Sequence, residues 1–266
     1  MSTLDLHKKP VMWVRAFLID GLLIDGGHHH ARHELIKILP LEKIEYCVLS
    51  HHHEDHFGAC HYLTKKFNIP IYSNITTAIL VRMKLKLPPE RRLTWGVPIP
   101  FKVSGLINPE EIKTSKAKFK VIPSPGHCSN LISFFHVKKR LLFSTDAFVN
   151  KKQSIIFNWE DANVMLDTFN HFKTLNFKYA FLEDGSLATS KDLDELITYW
   201  HELQQQSKNL YQNGFTSKQI VKRIFEKESI FKVMTGGDIS RENLIRSLLR
   251  LPPLDKRKSR KTKAKK

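Results

Sequence analysis

Residues 50–58 read Ser-His-His-His-Glu-Asp-His-Phe-Gly, and this run decides how the rest of the chain is read. Taken as His-x-His-x-Asp-His, it places His51, His53, Asp55 and His56 in one short loop behind the strand-like run Glu45–Ser50. Alternate positions on an extended loop project to one side, so His51, His53 and Asp55 are expected to converge. His56 adds a fourth donor from the adjacent position. Imidazole with carboxylate suits zinc, iron or manganese. Four donors exceed the three protein ligands of a single tetrahedral ion with an open position. The spacing therefore suggests two metals, completed by ligands from elsewhere. An internal Asp and a trailing Gly set the run apart from a surface His-rich tract or a tag.

Working outward, the first half alternates strand-like and helical stretches. WVRAFLID and LLIDGG flank Asp20-Gly21, a hairpin signal. A helical pattern over Glu34–Leu39 is limited by Pro40. IPIYSN (69–74) reads as a strand, with a helix near Thr76–Leu85 after it. Between Pro88 and Pro109 prolines recur and periodicity fades, which predicts a loop able to cover a site. FKVIPS (119–124), LISFFHV (131–137) and RLLFSTDAFV (140–149) read as strands, then a helix near Ala162–Phe172, then the strand KYAFLED (178–184). Strands and helices mixed in this way, hairpins among them, predict layered sheets covered by helices.

After Gly185 the pattern turns helical. Leu193, Leu196, Ile197, Trp200 and Leu203 form one apolar stripe, read as core. Gly214 ends a helix, Thr216-Ser-Lys-Gln219 has capping-box spacing, and a last helix over Arg241–Leu249 stops before Pro252-Pro253.

Composition narrows the class. The 266 residues are 41% hydrophobic and 26% charged, with 17 Phe and 4 Trp, which excludes a wholly disordered or fibrous protein. No stretch approaches ~18 uninterrupted apolar residues, so no membrane span is expected. The N-terminal MSTLDLHKKP has no apolar core of a signal peptide. Cys47, Cys60 and Cys128 form no regular framework, and a reducing, cytoplasmic setting is expected. The formal net charge is +17, of which eight cations lie in 256–266, leaving +9 on the body. That balance favours polyanions or anionic small molecules as partners. The tail reads as disordered.

With these motifs in order, residues 11–186 resemble the metallo-β-lactamase superfamily of metal-dependent hydrolases. LLIDGG (22–27) resembles the family's second strand and its Asp-x-Gly end, and HHHEDHFGA (51–59) its signature. Pro125-Gly126-His127 looks like the motif of the third histidine, and LLFSTDAF (141–148) like the strand that ends in a bridging carboxylate. The resemblance implies an α/β fold, an αββα four-layer sandwich over 1–186. A helical extension over 187–254, similar to the C-terminal helices of glyoxalase II-like relatives, and the basic tail 255–266 would follow. It implies His51, His53 and His127 on one metal, Asp55 and His56 on the second, Asp146 bridging, and Asp25 steadying the ligand loop. Leu182-Glu-Asp-Gly185 departs from the pattern: Asp184 stands where a histidine is expected, and could ligate as a harder oxygen donor or leave the second site weak. Thr145 replaces the usual glycine before the bridging Asp.

The activity implied is a hydrolase with two divalent ions, Zn2+ first and Fe or Mn as alternatives. A metal-activated hydroxide would attack a small anionic ester, thioester or lactone, and Asp55 would orient it and pass on the proton. A nucleic-acid phosphodiesterase, drawing on the basic tail, is the alternative, and a non-haem iron oxygenase on the same fold is another. His28, His29, His30 and His33 read as an exposed loop entering a helix, although they follow the Asp25-Gly-Gly element. His52 reads as pointing away from the ligands, and His136, His171 and His201 as structural.

Overall fold

The computed structural model describes residues 13–254, and of 2–5 and 10–12 the backbone alone, as an antiparallel strand pair. The basic tail, 255–266, lies outside the described residues. One sheet of five strands runs in the order Phe17–Ile19, Leu22–Ile24, Tyr46–Val48, Ile71–Ser73 and Gly105–Leu106. Its first pair is the expected hairpin. Asp20 (φ +46°) and Gly21 (φ +89°) both take positive φ, as a two-residue primed turn requires. The other neighbours are parallel.

The second sheet has six strands in the order Leu187–Ala188, Tyr179–Leu182, Leu141–Thr145, Ile132–His136, Lys118–Pro123 and Glu111–Lys113. It is antiparallel except where Leu141–Thr145 lies parallel to Tyr179–Leu182.

Period-two alternation divides these strands among three apolar layers. Leu22, Ile24 and Val48 from the first sheet meet Phe119, Val121, Phe134 and Phe143 from the second, which makes the core between the sheets. Their chain neighbours point the other way. Leu23, Cys47 and Leu49 pack under helix Cys60–Phe67 through Cys60 and Leu63. Leu142, Ala180 and Leu182 pack under helices Ala162–Thr174 and Ser190–Gln212 through Phe169, Phe172, Leu196 and Trp200. The result is the αββα layering that the motifs imply. The stripe from Leu193 to Leu203 is core, and Trp200 Nε1 donates to the Gln153 carbonyl at 2.8 Å. The capping boxes at Thr189–Asp192 and Thr216–Gln219 are both formed.

Three segments differ from the sequence reading. The proline-rich stretch 88–109 holds a helix, Pro89–Trp95, and the strand Gly105–Leu106. Pro89 occupies the first helical turn, where a missing N–H costs nothing, so a residue read as a breaker is a start signal. The helix expected near Thr76–Leu85 spans only Ile75–Leu80. Beyond Gly185, two short strands interrupt the helices: Leu187–Ala188 extends the second sheet, and Ile239–Ser240 pairs with Ile156–Phe157. His171 and His201 lie on exposed helix faces, whereas His136 is buried with Nε2 2.9 Å from Asp20 Oδ2.

The layering predicts where substitution hurts. Phe134→Ala, fully buried between the sheets, should cost about 3–5 kcal/mol in urea unfolding. Leu106→Ala, 55% exposed at a sheet edge, should stay within about 0.5 kcal/mol.

Candidate metal centre

Parallel neighbours deliver the residues that follow them side by side, and the site is built on that. Ile24 pairs with Val48, so Asp25 leaves its strand beside the 50–58 loop, and its amide donates to the Val48 carbonyl at 2.9 Å. Thr145 pairs with Leu182 after a register shift, so the next residues out are Asp146 and Glu183. His127 comes from the turn between Lys118–Pro123 and Ile132–His136. Two glycines are sterically required. A Cβ at Gly58 would lie 2.1 Å from the His29 nitrogen, and one at Gly126 (φ +127°) 2.4 Å from Met165 Cγ. Asp25 (φ +61°) and Thr145 (φ +47°) are non-glycine residues held in left-handed conformations at the site, a strained arrangement for a β-branched threonine above all.

The ligand loop is extended only at its start. The His56 amide donates to the His53 carbonyl at 3.0 Å and closes a turn, so simple alternation ends at His53. His51, His53, His127 and Asp146 form one set whose ligand atoms lie within 4.8 Å of one another. His56, Asp146 and Glu183 form a second set under the same limit. Asp146 belongs to both. Its Oδ2 is 3.6 Å from His51 Nε2, 3.3 Å from His56 Nε2 and 3.2 Å from His127 Nε2. Asp55 does not converge with His51 and His53 as spacing suggests. It sits beside His56, with Oδ2 3.9 Å from His56 Nε2.

Asp184 is not brought to the cluster. It is exposed, and its Oδ1 accepts from the amide and hydroxyl of Ser186 at 2.8 and 2.7 Å, an ordinary turn role. The acid at the site is its neighbour Glu183, which is buried. Asp25 is buried too: Oδ1 accepts from the Ser50 amide at 2.8 Å, and Oδ2 lies 2.7 Å from Ser50 Oγ and 2.9 Å from His56 Nδ1. That contact turns His56 Nε2 toward Asp146. Glu160 does the same for His127, pairing with Nδ1 while its other oxygen accepts from the Phe157 amide at 2.6 Å.

His52 points away and pairs with Asn130 at 3.0 Å. His28 is not in an exposed loop: it is buried, its ring 5.4 Å from that of Trp95, and His29 is half-buried, while His30 and His33 are exposed.

Sequence reading missed Glu160, Glu183 and Arg91. Arg91 comes from the unforeseen helix and donates through Nη2 to Glu54 at 3.0 Å, with Asp55 Oδ1 3.8 Å away. No local pattern marks Glu160, which reaches His127 from 33 positions downstream. For Glu183 the signal is pairing register, which one strand alone does not carry.

Burial holds His51 and His53 well below the ordinary histidine range, and neighbouring imidazoles add to it. Burial also opposes the charged forms of His56 and His127, but carboxylates outweigh it. Asp146, Asp25 and Asp55 hold His56 well above its usual value, and Asp146 and Glu160 raise His127. Against burial, His56, His127 and Arg91 draw Asp146 down to about 2.

The donor set fits a metal. His51 Nε2, Asp55 Oδ1 and Glu183 Oε2 are buried without a hydrogen-bond partner, an arrangement that is costly unless something binds them. His53 Nδ1 and His127 Nε2 face each other at 2.8 Å, as two nitrogens do around a shared acceptor of lone pairs.

Two stacked sheets with clustered histidines and carboxylates at one end form a candidate site for divalent metal. The chain matches the Metallo-beta-lactamase superfamily over residues 14–181, and it belongs to that family. It is 24% identical over 127 residues to an uncharacterized protein of Aquifex aeolicus (strain VF5), a match covering 48% of this chain and 59% of that one. The chain thus spans 59% of that curated relative's length.

Solved structures share the fold. An archaeal metallo-beta-lactamase superfamily protein from Sulfolobus tokodaii is 16% identical with TM-score 0.58, covering 75% of this chain and 86% of its own. A metallo-beta-lactamase family protein from Thermus thermophilus is 15% identical with TM-score 0.58, covering 88% and 84%. The B3 metallo-beta-lactamase BLEG-1 is 23% identical with TM-score 0.55, covering 66% and 88%. Among the described residues no helix is long and apolar enough to cross a membrane.

Two outcomes follow for metal binding. Asp25→Asn and Glu160→Gln should each weaken it by about 10–100-fold in competition with a chromophoric chelator. Ligation needs neutral imidazole, and His56 and His127 hold protons above the usual ~6.5. Affinity should therefore begin to fall on acidification before pH ~6.5 is reached, and equilibrium dialysis across pH 5–8 checks it.

Proposed function

We propose that the protein is a metal-dependent hydrolase acting on a small anionic ester, thioester or lactone, with two divalent ions, zinc foremost and iron or manganese as alternatives. The observation that carries this reading is Asp146, one carboxylate within reach of two separate donor sets. Ions held there would supply Lewis acidity and a lowered water pKa.

The chain's own groups account for the rest. Asp55 keeps Oδ1 buried and free of hydrogen bonds beside the cluster, with Oδ2 3.9 Å from His56 Nε2, placed to orient an attacking water and hand its proton to the leaving group. Arg91 spends two of its five N–H donors on Glu54 and keeps others for an anionic group of the substrate. Trp159 is 41% exposed, stacks on Phe157 with ring centroids 4.3 Å apart, and lies 6.1 Å from the His53 ring. It offers a flat apolar wall beside the ligands. Free thiols at Cys47, Cys60 and Cys128 fit a reducing, cytoplasmic setting.

Exhaustive chelation should abolish hydrolysis of a thioester or lactone, and added metal should restore it. Asp55→Asn should lower kcat by about 10²–10⁴-fold. Full activity without metal contradicts the proposal. Turnover of bis-p-nitrophenyl phosphate alone, with salt-dependent RNA binding lost on deleting 256–266, would instead assign a nucleic-acid phosphodiesterase.

A further inference from the structure

The two donor sets differ in chemistry. The first offers three imidazoles and the shared carboxylate of Asp146. The second offers one imidazole, His56, with Asp146 and Glu183, and Asp55 stands 3.9 Å from that same imidazole nitrogen. The first is nitrogen-rich, the second oxygen-rich.

Glu183 is anchored by Arg15. Its Oε1 accepts from the Arg15 amide, and the Arg15 side chain grips the carbonyls of Glu183 and Asp184 at 3.3 and 3.2 Å. With one oxygen and the backbone pinned, Oε2 is left buried without a hydrogen bond. A buried carboxylate oxygen with no donor is costly unless it takes up a proton or a cation meets it.

We propose that Glu183, and not Asp184, closes a second cation site that prefers a hard ion such as Mn2+, while the three-histidine site prefers Zn2+. This rests on the metal-dependent reading above and deepens it by making the two sites unequal. Nitrogen donors suit zinc, whereas carboxylate-rich sets suit manganese. The chain should therefore load in two steps, with a different ion in each.

The test loads metal-free full-length protein with one equivalent of Zn2+ and titrates Mn2+, reading free Mn2+ by its EPR signal and total metal by mass spectrometry. The wild type should take up one Mn2+ per chain without losing its zinc. Glu183→Gln should still bind one zinc, which shows that it folds, and weaken Mn2+ binding by at least about 10-fold. Asp184→Asn should bind both ions as the wild type does, and Glu183→His should shift the second site toward zinc.

Unchanged Mn2+ uptake in Glu183→Gln, or its loss in Asp184→Asn, overturns the proposal. So does Mn2+ that displaces the zinc. The readout is separate from turnover. A protein that binds both ions and hydrolyses nothing keeps this proposal and sinks the hydrolase reading. One that hydrolyses with zinc alone and binds no second ion does the reverse.

Discussion

One carboxylate oxygen stands at the centre of the buried cluster. Asp146 Oδ2 lies within 3.6 Å of three imidazole nitrogens, from His51, His56 and His127, which reach it from two loops on two different sheets. Histidine and acid side chains do not crowd together in a buried space by their own attraction, because each loses water on the way in. The sandwich forces them together. Parallel strand pairs in both sheets release their next residues at one end, and the apolar core between the sheets holds those ends in register.

The support behind the ligands has the same logic. A histidine that reaches inward with Nε2 needs its Nδ1 occupied, and Asp25 and Glu160 do this for His56 and His127. Backbone strain is present here as well. Asp25 and Thr145 both take positive φ at the strand ends that carry the site, and steric contact forbids a side chain at Gly58 or Gly126. The surrounding layers must be well packed for such a site to persist, and the clusters around Phe134 and Trp200 supply that packing.

Much of this was legible in the sequence because it is local. The 50–58 run, the Asp20-Gly21 turn, the Leu193–Leu203 stripe and the Thr216 capping box each depend on residues a few positions apart. The order of the four motifs supported the αββα layering. What escaped was set by partners distant in sequence. Glu183 rather than Asp184 faces the cluster because of a register shift against Leu141–Thr145, and Glu160 meets His127 only once helix Ala162–Thr174 packs on the sheet. Helix Pro89–Trp95 was hidden by its own prolines, and with it went Arg91, the cation beside Asp55. His28 was misread because loop and burial are independent: its loop is closed over by Trp95.

The proposal that Asp146 joins two metal positions is tested most directly by anomalous diffraction from crystals grown with zinc and manganese, recorded at each metal's absorption edge. Two peaks flanking the Asp146 carboxylate are expected, one among His51, His53 and His127 and the other between His56 and Glu183. A single peak that makes no contact with Asp146, or none within the cluster, would contradict it.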